Sequence, residues 1–133
     1  MAVYMLDMHM MGSNLSVYAD FWSRTKSKFI SGLFTFDTGA SVTTISKDIL
    51  FDLGYDVISG KTHKITTASS IEFVREVTID RIRLGECELD GITVYAHTFP
   101  EESLTTGVIG LNVLTQFDIN MLFSKKLIEL IKV

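Results

Sequence analysis

The stretch that decides the reading is Phe36-Asp37-Thr38-Gly39-Ala40-Ser41. Phe29, Leu33, Phe34 and Phe36 make an extended apolar run leading into it, and the largely β-branched Val42, Thr43, Thr44 and Ile45 make a second one leaving it. A tight turn therefore sits at Thr38-Gly39-Ala40, and the Asp37 carboxylate emerges at a strand end. Gly39 permits close backbone approach and the Thr38 hydroxyl is free to bond nearby backbone, so the turn can hold an acid rigidly in a cleft. Asp and Gly are also common turn residues. At ~5% for Asp and Thr and ~7% for Gly, Asp-Thr-Gly arises by chance in roughly 2 to 3 of 100 chains of this length. The tripeptide needs its context.

Downstream, Ser46 is placed to cap a short helix over residues 47–53, with Gly54 where a left-handed terminating residue is expected. Ile71, Phe73, Val77 and Ile79 then fall on one face of a long extended stretch, and Glu72, Glu76 and Asp80 on the other. Leu84-Gly85, Leu89, Asp90-Gly91 and Ile92-Thr93-Val94-Tyr95 continue the alternation, with glycines at the reversals or bulges. Gly107-Val108-Ile109-Gly110 leads into a predicted helical turn or two over residues 112–117. Ile119 to Phe123 and Leu127 to Ile131 read as closing strands about a turn at Lys125-Lys126, apolar enough to form an interface. Strand follows strand without crossover helices or internal repeats, so the fold class is all-β with one or two short helices.

The chain has 133 residues, of which 47% are hydrophobic and one is proline, and no Gly/Ser-rich or charge-block linker interrupts it. That predicts one domain over residues 1–133 with a single core, residues 1–27 forming an N-terminal strand or extension. The net charge is −4 and the basic residues are scattered, which argues against nucleic acid as a partner. No apolar run approaches the roughly 20 residues of a membrane span. The Met-rich start carries Asp7 and His9 and lacks a basic leader or cleavage pattern, so it reads as an edge strand or as residue from the start site rather than as a signal peptide. Cys87 has no second cysteine to pair with, which points to a reducing, cytoplasmic setting. His9, His63 and His97 are too dispersed for a ligand pair, so neither a metal nor a cofactor is expected.

An Asp-Thr-Gly-Ala-Ser run after an apolar strand, a mid-chain hairpin, and an apolar-apolar-Gly turn before a short helix occur here in order. In this the chain resembles the retropepsins, the retroviral-type aspartic proteases, over roughly residues 28–130. The resemblance implies a closed β-barrel of the acid-protease fold with a hairpin flap, and an endopeptidase acting on peptide or protein substrates. It implies Asp37 as the catalytic carboxylate, supported in its turn by Thr38 and Gly39. Substrate would be bound by Gly39, Ala40, Val108 and Ile109, and by the tip of a flap over about residues 61–75, here Thr66, Thr67, Ala68 and Ser69.

The chemistry needs two carboxylates about 3 Å apart sharing one proton, since like charges that close cannot both ionise. The chain contains no second Asp-Thr-Gly. The resemblance therefore implies a homodimer with Asp37 of each copy at a two-fold axis. Two features depart from the retroviral pattern: the flap tip has no glycine, and Leu111 stands where arginine is usual. The alternative, from a different functional class, is a dimeric peptide-binding or regulatory domain of the same fold that cleaves little or nothing.

Overall fold

The computed structural model describes residues 1–66, 69–100 and 103–133. Its central feature follows from the alternation around Asp37. Phe34 and Phe36 in β4 (Lys28–Phe36) turn inward, and β4 pairs antiparallel with β3 (Asn14–Ser23) and parallel with β9 (Gly107–Ile109). β9 pairs antiparallel with β5 (Thr44–Ser46), and β5 runs parallel to β8 (Cys87–His97). β8 forms a long hairpin with β7 (Ile71–Leu84), and β7 returns to β3 through Asp20↔Arg83 and Phe21↔Ile82. The six strands thus close into a ring, as the fold class expected. Closure leaves few unpaired edges.

The ring encloses Val17, Phe21, Phe34, Ile45, Ile79, Ile82, Val94 and Ile109, all fully or almost fully buried. Phe21 and Phe34 meet edge to face at 5.7 Å. Each such side chain contributes about 1.5–3 kcal/mol by leaving water. Residues 14–23 are therefore a stave of the barrel, while the Met-rich start supplies two edge strands: β1 (Val3–Asp7) and β2 (His9–Met11). β1 pairs with β11 (Leu127–Lys132), which also pairs with β10 (Phe117–Leu122). In this three-stranded sheet Leu6, Ile128 and Leu130 pack on the core, and Val3 and Met5 lie on the opposite, open face.

Local signals were largely reliable. The helix α1 (Lys47–Asp52) begins at Ser46, whose hydroxyl accepts from the Ile49 N–H at 3.4 Å, and ends before Gly54 at φ +92. Lys125 ends a 3-10 turn and Lys126 takes φ +53 between β10 and β11. Gly85 makes the β7–β8 reversal at φ +59.

Three expectations needed correction. The second helix, α2 (Leu111–Leu114), starts and ends earlier than residues 112–117, because Phe117 is taken up by β10. The strand after the Asp37 turn starts only at Thr44, because Thr43 turns inward. Ile71 and Phe73, grouped with Val77 and Ile79, are 56% and 69% exposed. β6 (Thr62–Thr66) pairs with this end of β7 alone, from Thr62↔Arg75 to Thr66↔Ile71, so the hairpin projects past β8. On that projection it is Val74, on the opposite face, that is buried.

The alternation also slips once inside the long hairpin. Val77, Ile79, Ile92 and Val94 are buried on one side of the slip, and Ile82, Leu84, Cys87 and Leu89 on the other. The residue offset is the same on both sides, but the Asp80–Gly91 pair drops out of the ladder there: the Asp80 N–H donates to the Tyr55 hydroxyl at 3.3 Å and Gly91 takes φ +60. No helix among the described residues is long and apolar enough to cross a membrane.

Candidate active site

β4 ends with Phe36 in the core, so by alternation Asp37 points away from it. The Asp37 N–H donates to the Ile109 carbonyl at 3.1 Å, tying the turn to the end of β9. The side chain bends back on its own turn: Oδ1 accepts the Gly39 N–H at 2.7 Å. The Ala40 N–H closes the turn onto the Asp37 carbonyl at 3.3 Å. A Cβ at position 39 would sit 3.0 Å from Oδ1, so glycine keeps this acceptor clear. One oxygen of the half-buried carboxylate is thereby fixed, and Oδ2 has no hydrogen-bond partner among the described residues.

Behind the turn lies the Val108-Ile109-Gly110 segment. Leu111 N–H donates to the Ala40 carbonyl at 2.8 Å and Asn112 N–H to the Ser41 carbonyl at 3.2 Å. A Cβ on Gly110 would fall 2.7 Å from the Val42 carbonyl carbon and 2.8 Å from the Ala40 oxygen. Only glycine lets the two turns approach this closely. Ile109 is fully buried and meets the site through its carbonyl, whereas half-buried Val108 lies on the Asp37 side of the sheet.

The residue that locks the two turns together was missed by the sequence reading. Asn112 Oδ1 accepts from both the Thr43 N–H at 2.8 Å and the Thr43 hydroxyl at 2.9 Å. Its Nδ2 donates to the Thr93 carbonyl at 2.8 Å, and Gly110 N–H donates to Thr43 Oγ1 at 3.0 Å. Thr43 is fully buried, and its carbonyl accepts the Tyr95 N–H. One amide side chain thus joins the Asp37 turn, the Gly110 turn and β8. Its signal was the place of an amide just inside a helix that follows an apolar-apolar-Gly turn. The Asn112→Ala variant is expected to lose about 2–4 kcal/mol, because it orphans the Thr43 N–H and the Thr93 carbonyl together. Asn120→Ala, which breaks an exposed bond to Glu129, is expected to stay within about 0.5 kcal/mol. Denaturant midpoints of the two variants check the contrast.

Of the other expected site residues, Thr38 is exposed at the turn and Ala40 half-buried beside it. Thr66 ends β6 and Ser69 lies in the bend beyond it, both exposed; Thr67 and Ala68 lie outside the described residues. Between the projecting hairpin and the end of β8 is a cavity of about 340 Å³, lined among others by Glu72, Val74, His97 and Lys47. Two histidine–carboxylate pairs flank this region: His63 with Glu76 at 2.6 Å and His97 with Glu72 at 2.5 Å.

Comparison with known proteins agrees with this geometry. The sequence profile of a family described as aspartyl protease matches residues 30–113, well over half of the chain, and that span runs from β4 to the Asn112 lock. Among solved structures, a retropepsin-like aspartic protease from Rickettsia conorii superposes with a TM-score of 0.67 at 19% identity. The match covers 97% of this chain and 89% of that one, residues before the profile included. No curated protein matches by sequence. On the strength of the profile match the chain belongs to the aspartyl protease family, and its fold is that of the retropepsin-like structure it superposes on.

Proposed function

We propose that the protein is an endopeptidase whose active unit is a homodimer, with water held between Asp37 of one protomer and Asp37 of its partner. The observation that carries this reading is a carboxylate with one oxygen fixed by Gly39 and the other unpartnered, in a chain with no second Asp-Thr-Gly. A two-fold axis beside the turn supplies the missing carboxylate from the same sequence. Thr38, exposed at the turn, braces the two copies against each other, and the open face of the β1–β11–β10 sheet adds to the contact.

In the dimer one Asp37 is ionised and the other protonated, because both cannot carry charge at such close range. The ionised carboxylate takes a proton from the water as its oxygen attacks the scissile carbonyl. The protonated one donates to the developing oxyanion. Collapse of the tetrahedral intermediate expels the amine, which leaves with the proton taken from the water, while the hydroxyl formed from the oxyanion returns its proton to the second Asp37 and restores the singly protonated pair; no covalent enzyme intermediate forms. The β6–β7 hairpin acts as the flap, with Thr66 and Ser69 near its tip closing over an extended peptide. Gly39, Ala40 and Val108 line the floor, and the Ile109 carbonyl holds the turn. The single cysteine, Cys87, is buried, in keeping with a reducing compartment.

A mixed peptide library incubated with the purified protein between about pH 4 and 7, with and without a pepstatin-type transition-state mimic, tests the activity. Cleavage that the mimic suppresses is the expected result. An intact dimer that cleaves nothing would instead indicate a peptide-binding domain of the same fold.

A further inference from the structure

Strand alternation sets Thr35 beside Asp37 on the face of β4 opposite Phe34 and Phe36. Register extends that face across the wall: Thr35 lies against Val108, Val108 against Thr44, Thr44 against Tyr95, and Tyr95 against Glu76. All five are half-buried, and their strand neighbours on the other face are buried, apart from exposed Arg75 beside Glu76. His63 of β6 completes the row, its ring 4.8 Å from that of Tyr95 and its Nε2 2.6 Å from Glu76 Oε2.

This row is unusually polar for the floor of a site that holds a peptide. Of its six side chains only that of Val108 is apolar. The hydroxyls of Thr35, Thr44 and Tyr95 have no hydrogen-bond partner among the described residues. Covering these groups with an aliphatic side chain would strip them of water without compensation. Within β6 and β7 the positions that share the His63 face are Ile65, Glu72, Val74 and Glu76, which bring two carboxylates; exposed Lys61, just before β6, stands opposite Glu76 and accepts its N–H at the backbone carbonyl. Lys47 lines the cavity at the far, Glu72 end.

We propose that this row sets substrate specificity: the side chain that leaves the scissile bond over Val108 and Thr44 is a long cationic one, arginine or lysine. Its head group is received by the Tyr95 hydroxyl and the Glu76 carboxylate. Glu76 lies two strand spacings from Thr44, about 10 Å. An arginine or lysine spans that distance together with the Glu76 side chain. His63 is a positioning residue: it occupies Oε2 and leaves Oε1 to face the ligand. The inference rests on Asp37 marking the scissile bond.

The test measures binding and cleavage separately. Fluorescence anisotropy on the full-chain Asp37→Asn variant is read with octapeptides that differ at one position at a time, carrying Arg, Gln or Leu. At one position Arg is expected to bind roughly tenfold more tightly than Leu. Adding Glu76→Gln should reduce that ratio to about twofold, with the affinity for the Leu peptide unchanged. Tyr95→Phe, which keeps the ring against His63, should weaken the Arg and Gln peptides alone. Equal or tighter binding of Leu at every position, a preference that survives Glu76→Gln, or no binding of any peptide would each overturn the proposal. Cleavage of the same panel by the unaltered protein keeps the two readings apart. A binding preference without cleavage contradicts the peptidase reading and leaves this one standing, and cleavage without a preference does the reverse.

Discussion

Replacing Asp37 by asparagine is expected to lower kcat/KM by about 10³-fold or more, some 4 kcal/mol in the barrier, while leaving the fold intact. The amide is isosteric with the carboxylate and its oxygen can still accept the Gly39 N–H that fixes Oδ1. Asp37 belongs to an exposed turn rather than to the core cluster, so no packing is lost. What disappears, in the proposed homodimer, is the group that takes a proton from water and, in the partner, the group that gives one. A single substitution removes both roles because both come from the same position. Steady-state cleavage of a library-derived peptide, with a thermal melt as control, checks it. Activity within about tenfold of the unaltered protein would remove Asp37 from the chemistry.

The largest expected effect on stability belongs to Gly107→Ala. A Cβ there would lie 2.0 Å from the Thr44 carbonyl oxygen and 3.0 Å from Phe34 Cε1. Both neighbours are held in place, the first by the backbone of β5 and the second by a fully buried ring. β9 is the strand that joins β4 to β5, so relief requires the barrel to open where it carries Asp37. The expected cost is at least ~3 kcal/mol, or about 10 °C in the melting midpoint. Gly91→Ala provides the comparison, since its Cβ would meet nothing within 4 Å and only the φ of +60 opposes it. That strain costs about 1–2 kcal/mol. If the two variants melt alike, close backbone contact at Gly107 is not what demands glycine.

The site and the fold were legible to different depths. The turn around Asp37 could be read because its constraints are local: an apolar strand, an acid, a glycine and a β-branched strand occupy successive positions. Ser46 and Gly54 bounded α1 for the same reason. Closure of the ring was implied by the family resemblance and not by the alternation, since it depends on Phe21 meeting Ile82, 61 residues away, and alternation says which side chains share a face but not which strands are adjacent. Nor does alternation reveal whether anything covers a face. Ile71 and Phe73 carry the same pattern as Val77 and Ile79, yet they sit on the part of β7 that projects beyond the barrel. Asn112 was hidden for a third reason. Its role arises from an amide N–H, a hydroxyl and a carbonyl brought together by tertiary structure, of which the chain shows only an amide placed just after the apolar-apolar-Gly turn.

Leu111 and the glycine-free sequence after β6 are the points at which this chain departs from the retroviral pattern it resembles. Leu111 is 37% exposed, at the start of α2 and bonded through its N–H to the Ala40 carbonyl. An apolar side chain there, beside the Asp37 turn, favours packing against a second copy over a polar tether.

The claim that Asp37 is half of a site completed by a second chain is tested most directly by mixing unaltered protein with the Asp37→Asn variant under conditions that allow subunit exchange. Each mixed dimer then holds one carboxylate and is inactive. At equal amounts about one quarter of the dimers carry two Asp37 residues, so cleavage per unaltered chain should fall to about half. Cleavage per unaltered chain that stays constant as the variant is added would contradict the account, because each chain would then be working alone.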